Sequence, residues 1–493
     1  MSKCRTMRLV AVLITVPLIN TTCPQTPFDL DPTFRTGIEQ IYVASALPDG
    51  NGNVIISGRF RFPGVENEKR TARLLTNGDL DPAYSATSIG GGRMTPWLND
   101  LVYVATTQTV RRLLPNGDQD LSFIEMNLGR YFLSLQGGDY HVYPDGRVLM
   151  SGAHMLSDSI RGFEGLYSLI WFSNTGYLDT TRTHRRGNGV IYAIAEQPDG
   201  RFLCTGTMTI YEGQPVKSVF RVEANGELDP TFQPPLQFYG GAWAYHTMQD
   251  GRIIVLGALK LEGSDVVRCL IRLLPNGDLD PSFALNDFEE TFSASHIPIA
   301  LTILPITEDR YIITGTFDKI NGEDRGGIAM IDSSGNLILD EFDGLGCGAY
   351  EYVTPSGSTT YKYISGIVPA TDGSYYIYGG YHGYNDGTTN DTTQRMVSKL
   401  YGLSVGVREQ TEPSALRVFP NPSNGKFTVQ MPDQSGVAQL ELIDLMGKVV
   451  RTWTWHRNST DTSLDTEGAA NGNYVLVLDS DRGRYRVPFI LAP

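Results

Sequence analysis

Seven aspartates recur at one place in this 493-residue sequence: Asp31, Asp81, Asp120, Asp179, Asp229, Asp280 and Asp340. Carboxylates in such number could bind calcium or serve as general acids and bases. Each stands at a fixed point of a repeated phrase, however, so the set is dispersed one per repeat. That placement favours turn capping or hydrogen bonding between repeats. Arg73, Arg112, Arg221, Arg272 and Lys399 also recur, and they are expected to pair with those aspartates across repeats. His154, His184, His246, His296 and His382 fall in different segments, and none has ligand spacing within its segment. Asp49-Gly-Asn-Gly-Asn53 and Asn385-Asp-Gly387 look faintly like calcium loops but lack the ladder ending in Glu. No nucleophile elbow, P-loop or dinucleotide motif is present. No catalytic residue is assigned, and neither a metal nor a cofactor is expected.

Aromatic residues offer a different chemistry. Phe238-Tyr239-Gly-Gly-Ala-Trp243 and Tyr350-Glu-Tyr352 fall between repeats. Tyr381-His382-Gly-Tyr384 falls in a long loop near the end of the array, and Trp97 ends a strand. Flat rings beside Asn and Asp suit stacking on sugars with polar contacts to hydroxyls. Trp97, Tyr239, Trp243, Tyr350, Tyr352, Tyr381, His382 and Tyr384 are therefore the candidate ligand residues.

These side chains must be positioned by the repeat itself. Asn77-Gly-Asp-Leu-Asp-Pro-Ala-Tyr84 returns at Asn116–Phe123, Asn225–Phe232 and Asn276–Phe283, with looser copies near Gly176 and Gly335. A period near ~50 residues means an array of one supersecondary unit. Within a unit, an apolar run leads into a turn such as Pro198-Asp-Gly200. A strand ending in Gly follows, for example Val54-Ile-Ile-Ser-Gly58. A third strand reaches the Asn-Gly hairpin turn, and Pro in the last segment confines it to an edge. Four antiparallel strands repeated about seven times describe an all-β propeller over 28–405. The solitary Leu30-Asp-Pro-Thr-Phe34 would supply the outer strand of the last unit, closing the ring. Both hairpin turns of a unit share one face, so the variable loops of the other face are where a ligand is expected.

Composition bounds the partners. The net charge of -14 disfavours nucleic acid, and no internal stretch is long and apolar enough to span a membrane. Lys3, Arg5 and Arg8 before the apolar Leu9–Ile19 read as a secretory signal over 1–23. Cys204, Cys269 and Cys347 then remain, in spacings that match neither a zinc site nor a disulfide framework. A polar linker, 406–415, precedes a different alternating β module over 416–493, expected to be a small immunoglobulin-like sandwich.

Two resemblances accompany this reading. The Gly-x-Leu-Asp-x-x-Phe phrase with its preceding Asp-Gly hairpin resembles the delta-60 repeat, which implies a bacterial propeller-type fold and export but no agreed activity. The C-terminal module is similar to the sorting domain of the type IX secretion system of Bacteroidota. The matching residues are Pro420, Asn421, Pro422 and Gly425, then Gly447, then Gly472 and Tyr474. That similarity implies recognition by the type IX translocon, and a protein that is secreted or attached to the outer-membrane surface. The expected function is a surface or secreted binding module for a polysaccharide or protein. The alternative is an extracellular polysaccharide-degrading lyase or hydrolase with its site at the propeller mouth.

Overall fold

The computed structural model describes residues 26–124, 126, 131–403, 417–430, 437–444, 448–456, 461–466, 468–480 and 483–492. The expected signal segment 1–23, the linker 406–415 and Gly447 lie outside the described residues. The chain divides into two units, one ending at Val405 and the other beginning at Gly406.

In the first unit the β-branched and aromatic runs, punctuated by Asp-Gly turns, form seven antiparallel blades in chain order among the described residues, with three smaller ribbons beside them. Blade 1 comprises Gln40–Pro48, Val54–Arg61 and Lys69–Leu74, and blade 2 the shorter Met94–Pro96, Val102–Ala105 and Val110–Leu113. Blade 3 has Phe132–Val142, Val148–Asp158 and Phe163–Phe172; blade 4 has Ile191–Glu196, Phe202–Gly206 and Val219–Val222. Blade 5 has Gly241–Thr247, Ile253–Lys260 and Val267–Leu273; blade 6 has Ala300–Thr307, Arg310–Gly315, Ile328–Asp332 and Leu337–Ile338. Blade 7 has Tyr363–Pro369, Tyr375–Asn385 and Asn390–Leu400. Each blade packs on the next, and the first strand of blade 1 packs on blade 7, so the ring is a closed propeller. The apolar core lies between blades; one cluster joins Tyr103 and Val110 of blade 2 to Tyr140, Met150 and Ile170 of blade 3.

The N-terminal segment closes the ring. Leu30 bridges Leu400, the Asp31 amide donates to the Lys399 carbonyl at 2.8 Å, and Tyr401 donates back to Asp29 at 2.9 Å. The other outer strands are shorter than the sequence suggests. In blades 1 to 5 the expected fourth strand is a single backbone bridge, such as Leu74 to Leu80 or Val222 to Leu228. The aspartate that follows turns the chain at once. Asp229 donates its amide to the Arg221 carbonyl at 2.9 Å, and its carboxylate accepts from the Thr231 amide at 2.9 Å.

That aspartate is half of a repeated latch. Arg221 Nε donates to Asp229 Oδ2 at 2.7 Å, with both side chains 4% exposed, and its guanidinium lies 4.5 Å from the Phe232 ring centre. Arg112, Asp120 and Phe123 repeat the arrangement, as do Arg272, Asp280 and Phe283, and Arg73, Asp81 and Tyr84. The pairs therefore lie within a blade, not between blades as the sequence suggested, because Asn-Gly folds residues eight apart side by side. The arginine still reaches the neighbouring blade through its other nitrogens. Nη1 of Arg221 donates to the Pro275 carbonyl and Nη1 of Arg112 to that of Asn174, both at 2.8 Å. Blade 3 inverts the scheme, with Trp171 at the arginine position and Arg182 lying over its ring at 5.7 Å. In blade 6 Asp332 stands where the arginine would be, and it caps its own turn.

The second unit packs Arg417–Phe419, Lys426–Gln430 and Asp461–Asp465 as one sheet and Val437–Asp444, Val449–His456, Gly472–Ser480 and Gly483–Leu491 as another. Phe427, Leu440, Leu476 and Phe489 fill its core.

Removing one partner of a buried pair strands the other charge, so Arg221→Ala is expected to cost roughly 3–5 kcal/mol in chemical denaturation. Arg221→Met combined with Asp229→Leu is expected to cost less than the two single changes together. Burial alone would raise the carboxyls of Asp81, Asp120, Asp229 and Asp280, but the turn hydrogen bonds and the arginine hold all four below the usual range. Their contribution is then complete above about pH 4 and lost as pH falls toward the folded values. An acid titration should show the loss beginning below about pH 4, and Asp229→Asn should reduce its depth.

Candidate functional site

The glycines that end the second strands expose how a site is built. Gly58, Gly206, Gly257, Gly315 and Gly379 each face a β-bulge in the first strand of their blade. A side chain there would collide with backbone. A Cβ on Gly257 would lie 2.1 Å from the Gly241 carbonyl oxygen, and one on Gly206 would lie 1.8 Å from that of Val190. The bulge inserts one extra residue and re-aims it. The extra residues are Ala44, Tyr192, Trp243, Leu301 and Ser365, each more exposed than the buried residue just before it. They lie at the start of the innermost strands, on the face opposite the Asp-Gly hairpins.

Blades 4, 5 and 6 thereby share a cavity of about 470 Å³ lined by Tyr192, Tyr239, Trp243, Ala258, Ile297 and Ile299. Trp243 is 49% exposed, and Phe238, next to Tyr239 in the chain, is 50% exposed. The Lys260 ammonium lies 4.4 Å from the Tyr239 ring centre. A flat apolar ligand face against Trp243 and Tyr192, with hydroxyls outward, is the chemistry this arrangement can serve. Tyr192 was not singled out from sequence, where it reads as one aromatic in an apolar strand. Its signal is the pairing of that strand with the Gly206 ending.

The other sequence candidates are placed elsewhere. Tyr381 and Tyr384 are fully buried, because the segment read as a loop continues the strand Tyr375–Asn385; the Tyr381 hydroxyl meets Ser398 Oγ at 2.8 Å. Tyr350 is buried too, stacked on His382 at 4.2 Å and on Tyr361 at 5.3 Å. Tyr352 is half-buried beside Tyr361. Trp97 lies by the hairpins of the opposite face, next to a cavity of about 500 Å³ with Asp49, Arg73 and Asp100. Its indole donates to the Pro144 carbonyl at 3.1 Å, so it joins blades 2 and 3.

The histidines do not converge. His154 is fully buried, with Nε2 2.9 Å from the Ser151 carbonyl oxygen and Nδ1 3.1 Å from Ser134 Oγ, and burial pushes its pKa down to about 4. His184 accepts the Trp171 amide at 3.3 Å and is likewise pushed by burial down to about 4. His246 packs edge-on against Tyr311 in a cleft of about 610 Å³ on the hairpin face, and burial lowers its pKa. His382 is lowered to about 4, by burial first and Arg395 second. His296 Nδ1 lies 3.1 Å from the Glu290 carbonyl oxygen. Among the described residues no group of three or more His, Cys, Asp or Glu side chains is placed to hold a metal. Both calcium-like loops spend their aspartate on backbone amides: Asp49 accepts those of Asn51 and Asn53, and Asp386 those of Thr388 in its own turn and of Leu30 in the N-terminal segment. Cys204, Cys269 and Cys347 are buried free thiols.

In the C-terminal unit the sorting-motif residues tie the two ends of the module together. Asn421 Oδ1 accepts the Ile490 amide at 2.8 Å, and Ser423 exchanges backbone hydrogen bonds with Ile490 and Ala492 at 2.8 Å. Gly425 has a φ of 114° and its carbonyl accepts the Thr466 amide. Gly472 opens a strand in which Tyr474 is buried, with its hydroxyl on the Ala470 carbonyl. Pro420 and Pro422 flank Asn421 in the turn that leaves Arg417–Phe419.

Residues 417–491 match the secretion system C-terminal sorting domain. Residues 50–84, 197–232 and 249–283 match the domain of unknown function (DUF5122) β-propeller, each running from an Asp-Gly hairpin to the aromatic of the latch. No curated protein matches the chain. Among solved structures, the extracellular domain of a proposed one-component system from B. thetaiotaomicron is 10% identical with a TM-score of 0.39. This chain is covered over 96% of its length but spans only 59% of that protein. A fungal alcohol oxidase of the AA5 family, in complex with copper, is 10% identical with a TM-score of 0.36, covering 95% of this chain and 100% of its own. A gluconolactonase from Xanthomonas campestris is 14% identical with a TM-score of 0.32, covering 60% of this chain and 96% of its own. At such scores these likenesses say nothing of what this chain binds. The described fold and the two family matches together identify a DUF5122 β-propeller region followed by a type IX secretion C-terminal sorting domain.

Proposed function

We propose that this exported propeller is a binding module that takes a polysaccharide at the loop-side mouth of its ring. The sorting domain implies export to the cell surface or secretion. The finer readings, removal of residues 1–23 as a signal, delta-60 ancestry of the repeats, handling by the type IX translocon and surface attachment after export, belong to this proposal. One observation carries it: Tyr192, Tyr239 and Trp243 line one apolar cavity at the mouth, and the aromatics Tyr192 and Trp243 are re-aimed there by equivalent bulges. Exposed aromatic plates lose solvent at little entropic cost and match the apolar faces of sugar rings. Lys260 over Tyr239 adds a polar contact beside the stack. The buried, pKa-depressed histidines serve packing, so the module is read as one that holds its ligand without cleaving it.

A polysaccharide array probed with the full chain, read for both binding and released product, tests this. Binding without release is expected, and Trp243→Ala should weaken it about tenfold or more while shifting stability by less than about 0.5 kcal/mol. Release of product, or binding untouched by Trp243→Ala, would contradict the reading. Gly257→Ala is expected to lower both binding and stability, by roughly 1–3 kcal/mol for the latter, because the bulge carrying Trp243 has no room for the added carbon.

A further inference from the structure

A second aromatic group stands elsewhere on the same mouth. A hairpin of Tyr350–Thr354 and Gly357–Tyr361 is inserted between blades 6 and 7. Tyr350 pins its base, its hydroxyl donating to the Ile41 carbonyl of blade 1 and its ring stacking on His382. This seats Tyr361 6.4 Å from Tyr352 and 6.1 Å from Tyr363, by ring centres. Tyr42 and Tyr363 occupy the starts of the first strands of blades 1 and 7, the same edge of the ring as Tyr192 and Trp243 in blades 4 and 5. Four phenols, Tyr42, Tyr352, Tyr361 and Tyr363, are partly buried with some surface left open, and none of their hydroxyls is hydrogen-bonded to protein among the described residues.

We infer that these four tyrosines form a second subsite for the same ligand, so that the ligand is an extended, uncharged polyhydroxylated chain lying across the mouth. The inference rests on the polysaccharide reading above. Grouped hydroxyls left without protein partners are where ligand hydroxyls can donate and accept. Burial, then the neighbouring phenols, push the Tyr363 phenol up, and Tyr361 is raised in the same way, so both stay protonated and able to donate. Protonated phenols are poor metal ligands. Arg59, whose charge acts on Tyr361, is already held by Glu68 at 2.9 Å, and Lys362 by Asp318 at 3.3 Å, which disfavours an acidic ligand. Blades 4 and 5 are separated from blades 7 and 1 around the ring, so a short ligand reaches one group and a chain reaches both.

The test is calorimetric titration of the full chain with neutral cello-, laminari-, manno- and xylo-oligosaccharides, from disaccharides to octasaccharides. In whichever series binds, affinity should rise again once the chain is long enough to span both groups. Tyr352→Phe with Tyr361→Phe keeps the rings and removes only hydroxyls. It should weaken long chains about three- to tenfold and leave short ones unchanged, whereas Trp243→Ala should weaken both. Unchanged melting temperatures check that the variants fold. Length-independent affinity, or long-chain binding untouched by the double tyrosine change, overturns the second subsite and leaves the first standing. Failure of every series to bind overturns both.

Discussion

One latch supports the rest of this propeller: an arginine of the third strand, the aspartate eight residues on, and the aromatic three residues beyond it. The Asn-Gly turn makes the arginine and aspartate neighbours, the carboxylate then caps the next turn, and the aromatic ring slides beneath the guanidinium. The arginine Nε and both carboxylate oxygens that are buried in this way are answered, which is what burying a charged pair demands. The same arginine donates to a carbonyl of the next blade. Blade closure and blade-to-blade registration are therefore one event, and the outer strand can shrink to a single bridge without leaving an open edge.

The latch fixes the hairpin side and the outer rim, which leaves the inner strands free to carry variation. Their bulges are the second device. A glycine ends the second strand because the bulged backbone of the first strand occupies the space of its Cβ. What the bulge carries is unconstrained by that packing, and so differs by blade: Ala44, Tyr192, Trp243, Leu301 and Ser365. Scaffold and candidate site are thus separated within a single strand.

Much of this was legible in the sequence because it is local. The Asn-Gly-x-Leu-Asp-x-x-Phe phrase contains both ends of a turn, and the stray Leu30–Phe34 copy announces the closure that Leu30 and Leu400 make. What depends on distance along the chain was harder to read. Arg221 and Asp229 pair within a blade, since the hairpin folds an eight-residue separation onto itself. Tyr381 and Tyr384 read as loop aromatics because Gly379-Gly380 and Gly383 interrupt the run. The strand continues through those glycines and buries both rings. Trp97 lies on the hairpin face because blade 2 has a first strand of only three residues, so its end meets the hairpin of blade 3. Tyr192 was invisible because a bulge leaves no mark in a single strand; only its pairing with a glycine-ended neighbour reveals it.

Hydrogen–deuterium exchange of the full chain, with and without a bound neutral polysaccharide, tests the separation of scaffold from site most directly. The account predicts new protection confined to the loop-side mouth, around Ile191–Ala193 and Gly241–Ala244 and, for a chain long enough to reach it, the Tyr350–Tyr361 hairpin, with the Asn-Gly and Asp-Gly hairpins unchanged. Protection centred on the hairpin face, around Asp49, Trp97 and Asp100 or around His246 and Asp250, would contradict it.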